Sequence, residues 1–322
     1  MAILVVGGAG YIGSHAARAL RRSGYEVIVY DNLCTGHRRL AQGFELVEAD
    51  IADTAKLRSV LARVEAVMHF AAHAYVGESG QNPRKYFRNN VEAGLNLLNA
   101  TLDAGIRRFV FSSTCAVYGV PAKVPITEDT PRQPVNPYGT SKLFFENALE
   151  AYDRAYGLRS ARLRYFNAAG ADDSGEIGEL HDPETHLIPL VLAATQSGPE
   201  LQIFGADYPT PDGTCVRDYI HVNDLADAHV LALQHLEKGG ESIAVNLGTG
   251  RGDSVVEVIR AAEGITGRSV RHKFGPRRPG DPPALVADPT RAQQVLGWKA
   301  ARDLTEIVAS AWKWMQRAQG NS

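Results

Sequence analysis

Residues 3–15 read Ile3-Leu4-Val5-Val6-Gly7-Gly8-Ala9-Gly10-Tyr11-Ile12-Gly13-Ser14-His15. The first four are a short apolar, β-branched run, and from Ser14 to Arg22 apolar residues return at helical spacing. A strand, a tight turn and a helix in that order begin a parallel sheet. Gly7, Gly10 and Gly13 form G-x-x-G-x-x-G, which differs from the ordinary dinucleotide fingerprint but meets the same need, close approach of main chain to phosphate. The helix from Tyr11 offers amide donors and its positive dipole end to a pyrophosphate, with Ile12 inside the same turn.

Asp31 ends the second strand, roughly 20 residues beyond the turn, where a carboxylate can accept from adenosine ribose hydroxyls. That favours NAD over its 2′-phosphorylated form. Alternatively, the glycines serve only as turns and Asp31 is a loop carboxylate. Asp50-Ile51 follows the third strand and could hold the adenine, although an Asp there is also a common helix cap.

Working outward, strands are expected at Glu26 to Tyr30, Glu45 to Val47, Ala66 to Phe70 and Arg108 to Phe111, with Ser160 to Tyr165 closing the main sheet. Helices are expected at Thr54 to Arg63, at Tyr86 to Ala104 with an apolar face of Val91, Leu95, Leu98 and Leu102, and at Tyr138 to about Tyr156 after Pro137. The fold class is α/β, a Rossmann-type doubly wound parallel sheet with a smaller, discontinuous C-terminal lobe. Residues 1–166, with returning segments at about 216–265, make the dinucleotide-binding domain; residues 167–215 and 266–322 make most of the second lobe. Within these, Val222 to His235 and Val255 to Ala262 read as helices and Ser242 to Leu247 as a strand, all extending the main layers. Leu187 to Gln196, the strand Leu201 to Phe204 and the stretch from Gly275 to Trp298 belong to the lobe, and a helix carrying Trp312 and Trp314 packs last.

The 322 residues, 44% apolar and 22% charged, suffice for one large domain with a smaller lobe. A formal charge of -2 gives no global positive field for nucleic acid or anionic lipid. Cys34, Cys115 and Cys215 are too few and too scattered for a disulfide framework, which fits a reducing compartment. With no leader or long apolar segment the expected location is cytoplasmic. His69, His73, His181, His186, His221 and His229 suggest no closely spaced ligand set, so no metal is expected.

Tyr138-Gly139-Thr140-Ser141-Lys142 places a phenol and an ammonium four residues apart on one side of a helix. A phenol ionises near pH 10, so it acts as a base near neutrality only where a nearby cation favours phenolate. Alone, such a pair is more often surface decoration. Ser112-Ser113-Thr114 follows the fifth strand at the carboxyl edge, where open α/β sheets bind ligands; in isolation a capping role would be the default. The order of glycine turn, strand-end Asp, hydroxyl cluster, then Tyr and Lys on the next helix carries the reading.

In these features the chain resembles the extended short-chain dehydrogenase/reductase family, and within it the epimerases of UDP-hexoses. The likeness spans essentially the whole chain, including Val76-Gly77-Glu78-Ser79, Asn89-Asn90-Val91, Val117-Tyr118-Gly119, Arg164-Tyr165-Phe166-Asn167, Arg217-Asp218-Tyr219-Ile220-His221-Val222, Pro276-Arg277-Arg278 and Gly280-Asp281. The resemblance implies bound NAD and reversible epimerisation at C4 of UDP-glucose and UDP-galactose through a 4-keto sugar. It makes Tyr138 the base, Lys142 a partner of the nicotinamide ribose that depresses the phenol pKa, and Thr114 a hydrogen-bonding partner of the reacting oxygen. Further cofactor contacts implied are Asn32, Phe70, Ala71, Ala72, Asn89 and Ser112, with Tyr165 against the nicotinamide. For the UDP-sugar the resemblance implies Asn167, Arg217, Arg278 and Asp281 at the diphosphate and nucleotide end. Leu201, Gln202, Ile203 and Phe204 would line the uracil slot, His186 would make a phosphate contact, and Leu187 and Tyr219 also belong to the UDP-sugar site. It also implies a homodimer through helices Tyr86 to Ala104 and Tyr138 to Tyr156.

Some positions depart from the family pattern. Ala74 stands where several members carry Lys, His186 where Asn is frequent, and Leu285 where others vary in bulk, so UDP-GlcNAc and UDP-GalNAc enter as a second substrate pair. A 4,6-dehydratase would need an Asp-Glu pair after the hydroxyl residue, and this chain has Cys115-Ala116. A decarboxylase acting on UDP-glucuronate is a further alternative. Retention of Tyr138, Lys142 and Thr114 argues against a non-catalytic NAD-binding sensor.

Overall fold

The structure, a computed structural model, describes residues 2–196, 198–278 and 280–320. In chain order it contains β1 (Ala2–Val6), α1 (Tyr11–Arg22), β2 (Val27–Asp31), β3 (Glu45–Glu48), α2 (Thr54–Leu61), β4 (Val64–His69), α3 (Val76–Gln81), α4 (Pro83–Tyr86), α5 (Gly94–Asp103), β5 (Arg108–Thr114), α6 (Pro137–Tyr156) and β6 (Arg159–Tyr165). There follow β7 (Asn167–Ala169), α7 (Leu187–Ala194), β8 (Leu201–Phe204), β9 (Val216–Arg217), β10 (Tyr219–His221), α8 (Val222–Glu237), β11 (Ile243–Leu247), β12 (Asp253–Ser254), α9 (Val255–Thr266), β13 (His272–Gly275), β14 (Ala284–Leu285), α10 (Thr290–Leu296) and α11 (Leu304–Gly320).

Seven parallel strands form the main sheet in the order β11-β6-β5-β4-β1-β2-β3. The order reverses between β1 and β4, which opens a crevice at their carboxyl ends. Apolar side chains of α1 and α8 cover one face of the sheet, and those of α2, α5 and α6 cover the other. A strand buried on both faces has to be apolar throughout, and β1 is fully buried at all five positions.

Several expectations need correction. β6 does not close the sheet, because β11 pairs outside it with Ile243 opposite Ala161 and Leu247 opposite Tyr165. Ser112, Ser113 and Thr114 are the last residues of β5 rather than a loop after it. The expected helix from Tyr86 starts at Pro83 and passes through a π-helical turn at Phe87–Ala93, so its 3.6-residue period is broken. The buried side therefore carries Ala93, Leu97, Leu98 and Thr101, and Val91, Leu95 and Leu102 are only half-buried.

The smaller lobe has its own core, built from α7, α9 and α11 with β8. Here α9 packs on α7 and α11 instead of extending the main layers, because Val255, Val258, Ile259 and Ala262 face Ile188, Val191 and Ile307. Conversely α10 and Trp298 join the α8 side of the main sheet, where the Trp298 indole donates to Asp224 O at 2.9 Å. Trp314 on α11 is buried and donates to Glu179 O at 2.8 Å, and Trp312 is half-buried. Among the described residues no helix is long and apolar enough to cross a membrane.

Candidate active site

The glycine turn lies at the crevice between β1 and β4. Gly7 has φ +81°, and a Cβ there would stand 2.4 Å from Ala71 N, so both backbone conformation and the end of β4 demand glycine. A Cβ on Gly13 would come within 2.1 Å of Gly7 O, which is how closely α1 approaches the turn. Gly10 differs: its missing side chain would meet only Gly7 O, at 3.3 Å. The open side of the turn therefore has room for a ligand, and the first amides of α1, which lack partners within the helix, are on hand for an anion. Tyr11 is buried, its hydroxyl donating to Gly170 O at 2.6 Å, and Ile12 is half-buried behind the turn.

Asp31 ends β2 and is buried, its oxygens accepting from Ala9 N at 2.9 Å and Leu33 N at 2.8 Å. Burial raises its carboxyl pKa and these two amides oppose the rise. Asn32 donates to Asp50 at 2.7 Å, which ties the ends of β2 and β3 together. Asp50 does not cap α2; Asp53 does, accepting from Lys56 N. Ile51 is buried in the sheet core. Phe70, Ala71 and Ala72 leave β4 half-buried, with Phe70 N and Ala71 N donating to Val6 O. A turn open toward solvent, a helix start and an acidic strand end together fit a dinucleotide.

Across the crevice stand the reacting groups. Thr114 is buried at the end of β5, its Oγ1 accepting from Ala116 N at 3.2 Å, so it also caps the short turn Cys115–Tyr118. No carboxylate occurs in that turn. Tyr138 sits in the first turn of α6, which Asn136 caps by accepting from Gly139 N at 2.8 Å. Lys142 follows one turn later, buried, with Nζ donating to Ser112 O at 2.7 Å and lying 5.9 Å from the Tyr138 ring centre.

The electrostatics differ from the sequence expectation. Burial pushes the Tyr138 phenol well above the usual range, Tyr165 nearby adds to the rise, and the Thr114 hydroxyl opposes it. Burial lowers Lys142 to about 7, and Glu146 opposes that shift. Desolvation thus works against the charge on the ammonium that was expected to favour phenolate. Ser112 Oγ and the Tyr165 hydroxyl are 2.5 Å apart, and burial carries the Tyr165 phenol to about 12.

Glu146 and Asn246, which sequence reading did not single out, hold this geometry together with residues quoted there only within motifs. Glu146 accepts from Ser113 Oγ at 2.5 Å, from Arg164 Nε at 2.9 Å and from Arg164 Nη2 at 2.7 Å. Arg164 donates on to the Tyr118 hydroxyl at 2.8 Å, which donates to Asn246 at 2.7 Å. A charged residue four positions after Lys142, on the buried side of the same helix, was the available signal. Asn90, brought inward by the π-helical turn, donates to Ser141 Oγ at 3.0 Å and bonds both backbone groups of His73. Asn89 is half-buried and donates to Asn90 at 2.9 Å.

On the lobe side, Asn167 is exposed and Leu187 half-buried at the start of α7. Arg217 is ion-paired with Asp281, and the Arg278 guanidinium stacks 4.0 Å over the Phe204 ring. Along β8 the side chains alternate: Gln202 and Phe204 are half-buried, but Ile203 and Leu201 point into the lobe core. Ile203 therefore cannot offer its side chain to a ligand, and neither can Tyr219, which is buried in the same core. Ala74 is exposed and Leu285 half-buried, paired with Arg217 across β14 and β9. The expectation that the histidines share no ligand set is corrected as well. His181 and His186 come together with Glu179 and Glu184, and burial works against the charge on His181 but the two carboxylates carry it to about 9.

Residues 3–248 match the model of the NAD dependent epimerase/dehydratase family. The chain belongs to that family. Among relatives of this epimerase/dehydratase chain is the UDP-glucose 4-epimerase of Rhizobium meliloti (strain 1021), 52% identical over 318 residues, covering 98% of this chain and 97% of the relative. The solved UDP-glucose 4-epimerase of Brucella ovis in complex with NAD superposes with a TM-score of 0.94 at 52% identity, covering 96% and 97% of the two chains. The UDP-glucose-4-epimerase of Stenotrophomonas maltophila, solved with bound NAD and formylated UDP-arabinopyranose, gives 0.97 at 43% identity over 100% of both chains.

Proposed function

We propose that the protein is an isomerase that interconverts UDP-glucose and UDP-galactose by NAD-dependent epimerisation at C4. The observation that carries the reading is the buried trio of Tyr138, Thr114 and Lys142, across the crevice from a glycine turn built for a dinucleotide. When bound, NAD supplies a reversible hydride acceptor for C4 and a cationic ring.

The glycine turn and α1 would hold the pyrophosphate, and Asp31 would accept from the adenosine ribose. Tyr138 takes the proton of the sugar 4-hydroxyl as the 4-keto sugar forms, and returns it when the other epimer forms. Burial raises the Tyr138 phenol, so positive charge beside it favours the phenolate that acts as the base. Thr114 orients the reacting oxygen. Lys142, held by Ser112 O, would bind the cofactor ribose. Asn167 and Arg217 hold the diphosphate while the sugar turns about its linkage, and Gln202, Phe204 and Arg278 enclose the base.

The sheet domain thus carries the cofactor and the smaller lobe the UDP-sugar. Exposed Phe87 and Phe144, with half-buried Val91 and Leu95 on the neighbouring helical segment, support a homodimer through these helices. The unpaired thiols of Cys34, Cys115 and Cys215 fit the reducing cytoplasm, where this reaction serves galactose metabolism. Leu285, half-buried and paired with Arg217 across β14 and β9, is intermediate in bulk, which supports the N-acetylated pair as a second substrate pair. Progress curves with UDP-galactose and UDP-N-acetylgalactosamine test both substrates. Absence of any UDP-glucose formation with cofactor bound would overturn the reading, and turnover of UDP-galactose alone would remove the second pair.

A further inference from the structure

A single residue, Asp218, separates β9 from β10, and it is fully buried. Its main chain joins two other segments: Asp218 N donates to Leu285 O at 3.0 Å, and Asn167 N donates to Asp218 O at 3.0 Å. The carboxylate reaches further. Oδ1 accepts from Thr249 N at 2.8 Å and from Thr249 Oγ1 at 2.7 Å, and Oδ2 accepts from Gly250 N and from Ala287 N, both at 3.1 Å. The turn after β11 and the chain just after β14 are thus tied to the link between β9 and β10. Packing around the carboxylate is close, since a Cβ on Gly248 would stand 2.5 Å from Asp218 Oδ2 and 2.6 Å from the Ala287 Cβ.

The donors to this carboxylate are main-chain amides and one hydroxyl, without a cation among them. Burial raises the Asp218 pKa and these donors oppose the rise. A carboxylate has about four lone-pair sites, and here each oxygen uses two. In Asp218→Asn one of those oxygens becomes an NH₂. Whichever way the amide turns, either the Thr249 donors or those of Gly250 and Ala287 then face another donor and lose their partner.

These bonds hold the substrate side of the crevice. Arg217, next in the chain, pairs with Leu285 across β9 and β14, and its guanidinium is ion-paired with Asp281. Asn167 pairs with Tyr219 across β7 and β10. The two diphosphate ligands of the proposed reaction therefore belong to different strand pairs, and Asp218 is where those pairs meet. Thr114 stands on β5 and Tyr138 and Lys142 on α6, and neither element supplies a donor to the Asp218 carboxylate.

We infer that Asp218 is a positioning residue for the UDP-sugar: its carboxylate fixes the spacing of Asn167 and Arg217 and so the grip on the diphosphate, a role that rests on the epimerase reading of the site. The test measures KM and kcat for UDP-galactose, the Kd of UDP alone by calorimetry on NAD-loaded protein, NAD content and melting temperature. A displacement of about 1 Å in a binding group is worth up to about 10²-fold. Asp218→Asn should accordingly raise KM and the UDP Kd by at least about tenfold, with kcat within about threefold and NAD content unchanged. KM and UDP affinity within about threefold of native, with only the melting temperature lowered, would make Asp218 a purely structural residue and overturn the proposal. A loss confined to kcat overturns it too. Native protein that binds UDP but leaves UDP-galactose unconverted would sink the epimerase reading alone, and the UDP affinities would still decide on Asp218. If Asp218→Asn does not fold, Thr249→Val decides, since it removes the hydroxyl donor and keeps every amide. It should raise KM and the UDP Kd by about threefold or more, and native values would overturn the proposal.

Discussion

Glu146→Gln removes one negative charge from the most enclosed ion pair in the sheet domain and leaves side-chain volume nearly unchanged. In the native protein the Glu146 carboxylate is fully buried and Arg164 is 3% exposed, and the pair shares two hydrogen bonds. An amide keeps one acceptor for the guanidinium but turns an NH₂ toward a second donor, either Arg164 or Ser113 Oγ. The Arg164 charge is then buried without compensation. Arg132, 3.2 Å from the carboxylate, is 30% exposed and can turn to solvent, so the cost falls chiefly on Arg164. Breaking a buried pair from one side costs about 3–5 kcal/mol, a large part of the roughly 5–15 kcal/mol by which proteins are stable. Urea unfolding followed by circular dichroism, with the cofactor content of each sample matched, should show that loss in Glu146→Gln. The double variant Glu146→Leu/Arg164→Met should recover most of it, because it leaves no orphaned charge. A single-variant loss below about 1 kcal/mol, within the range of an exposed pair, would refute the reasoning.

Tyr138→Phe should retain NAD and lose about 10²–10⁴-fold in turnover, since only the hydroxyl is removed; near-normal progress curves would displace Tyr138 as the base. Gly13→Ala should bind NAD weakly or not at all, because its Cβ would stand 2.1 Å from Gly7 O and push α1 off the turn; cofactor content by absorbance after purification checks this. Burial lowers His15, His221 and His229 to about 4 and His69 to about 3, with nearby positive charge adding to the effect at His69 and His221. The folded protein thus refuses protons that the unfolded chain accepts near pH 6.5, so this stability is complete above that pH and declines as pH falls toward 4. Each such histidine then contributes a slope of up to about 1.4 kcal/mol per pH unit. Urea midpoints measured between pH 7 and 5 should fall accordingly, and a flat profile would refute the assignment of these imidazoles as neutral.

What could be read in the residues themselves was local and ordered along the chain. Gly7, Gly10 and Gly13 announce a turn that side chains would block, Asp31 announces the end of a strand, and Tyr138 with Lys142 share a helix face because four residues make about one turn. Such features depend on neighbours in sequence, so order alone carried them to a parallel sheet and to a reacting pair. The rest depended on residues far apart in the chain. Glu146 meets Ser113 and Arg164, α9 chooses the lobe and α10 the sheet, Ile203 and Tyr219 turn inward, and the carboxylates of Glu179 and Glu184 close around two imidazoles. Periodicity marks which residues are apolar but not which of two cores receives them, and it holds no record of the desolvation that raises Tyr138 and lowers Lys142. Only packing in three dimensions removes water from those groups, and that removal decides how they are charged.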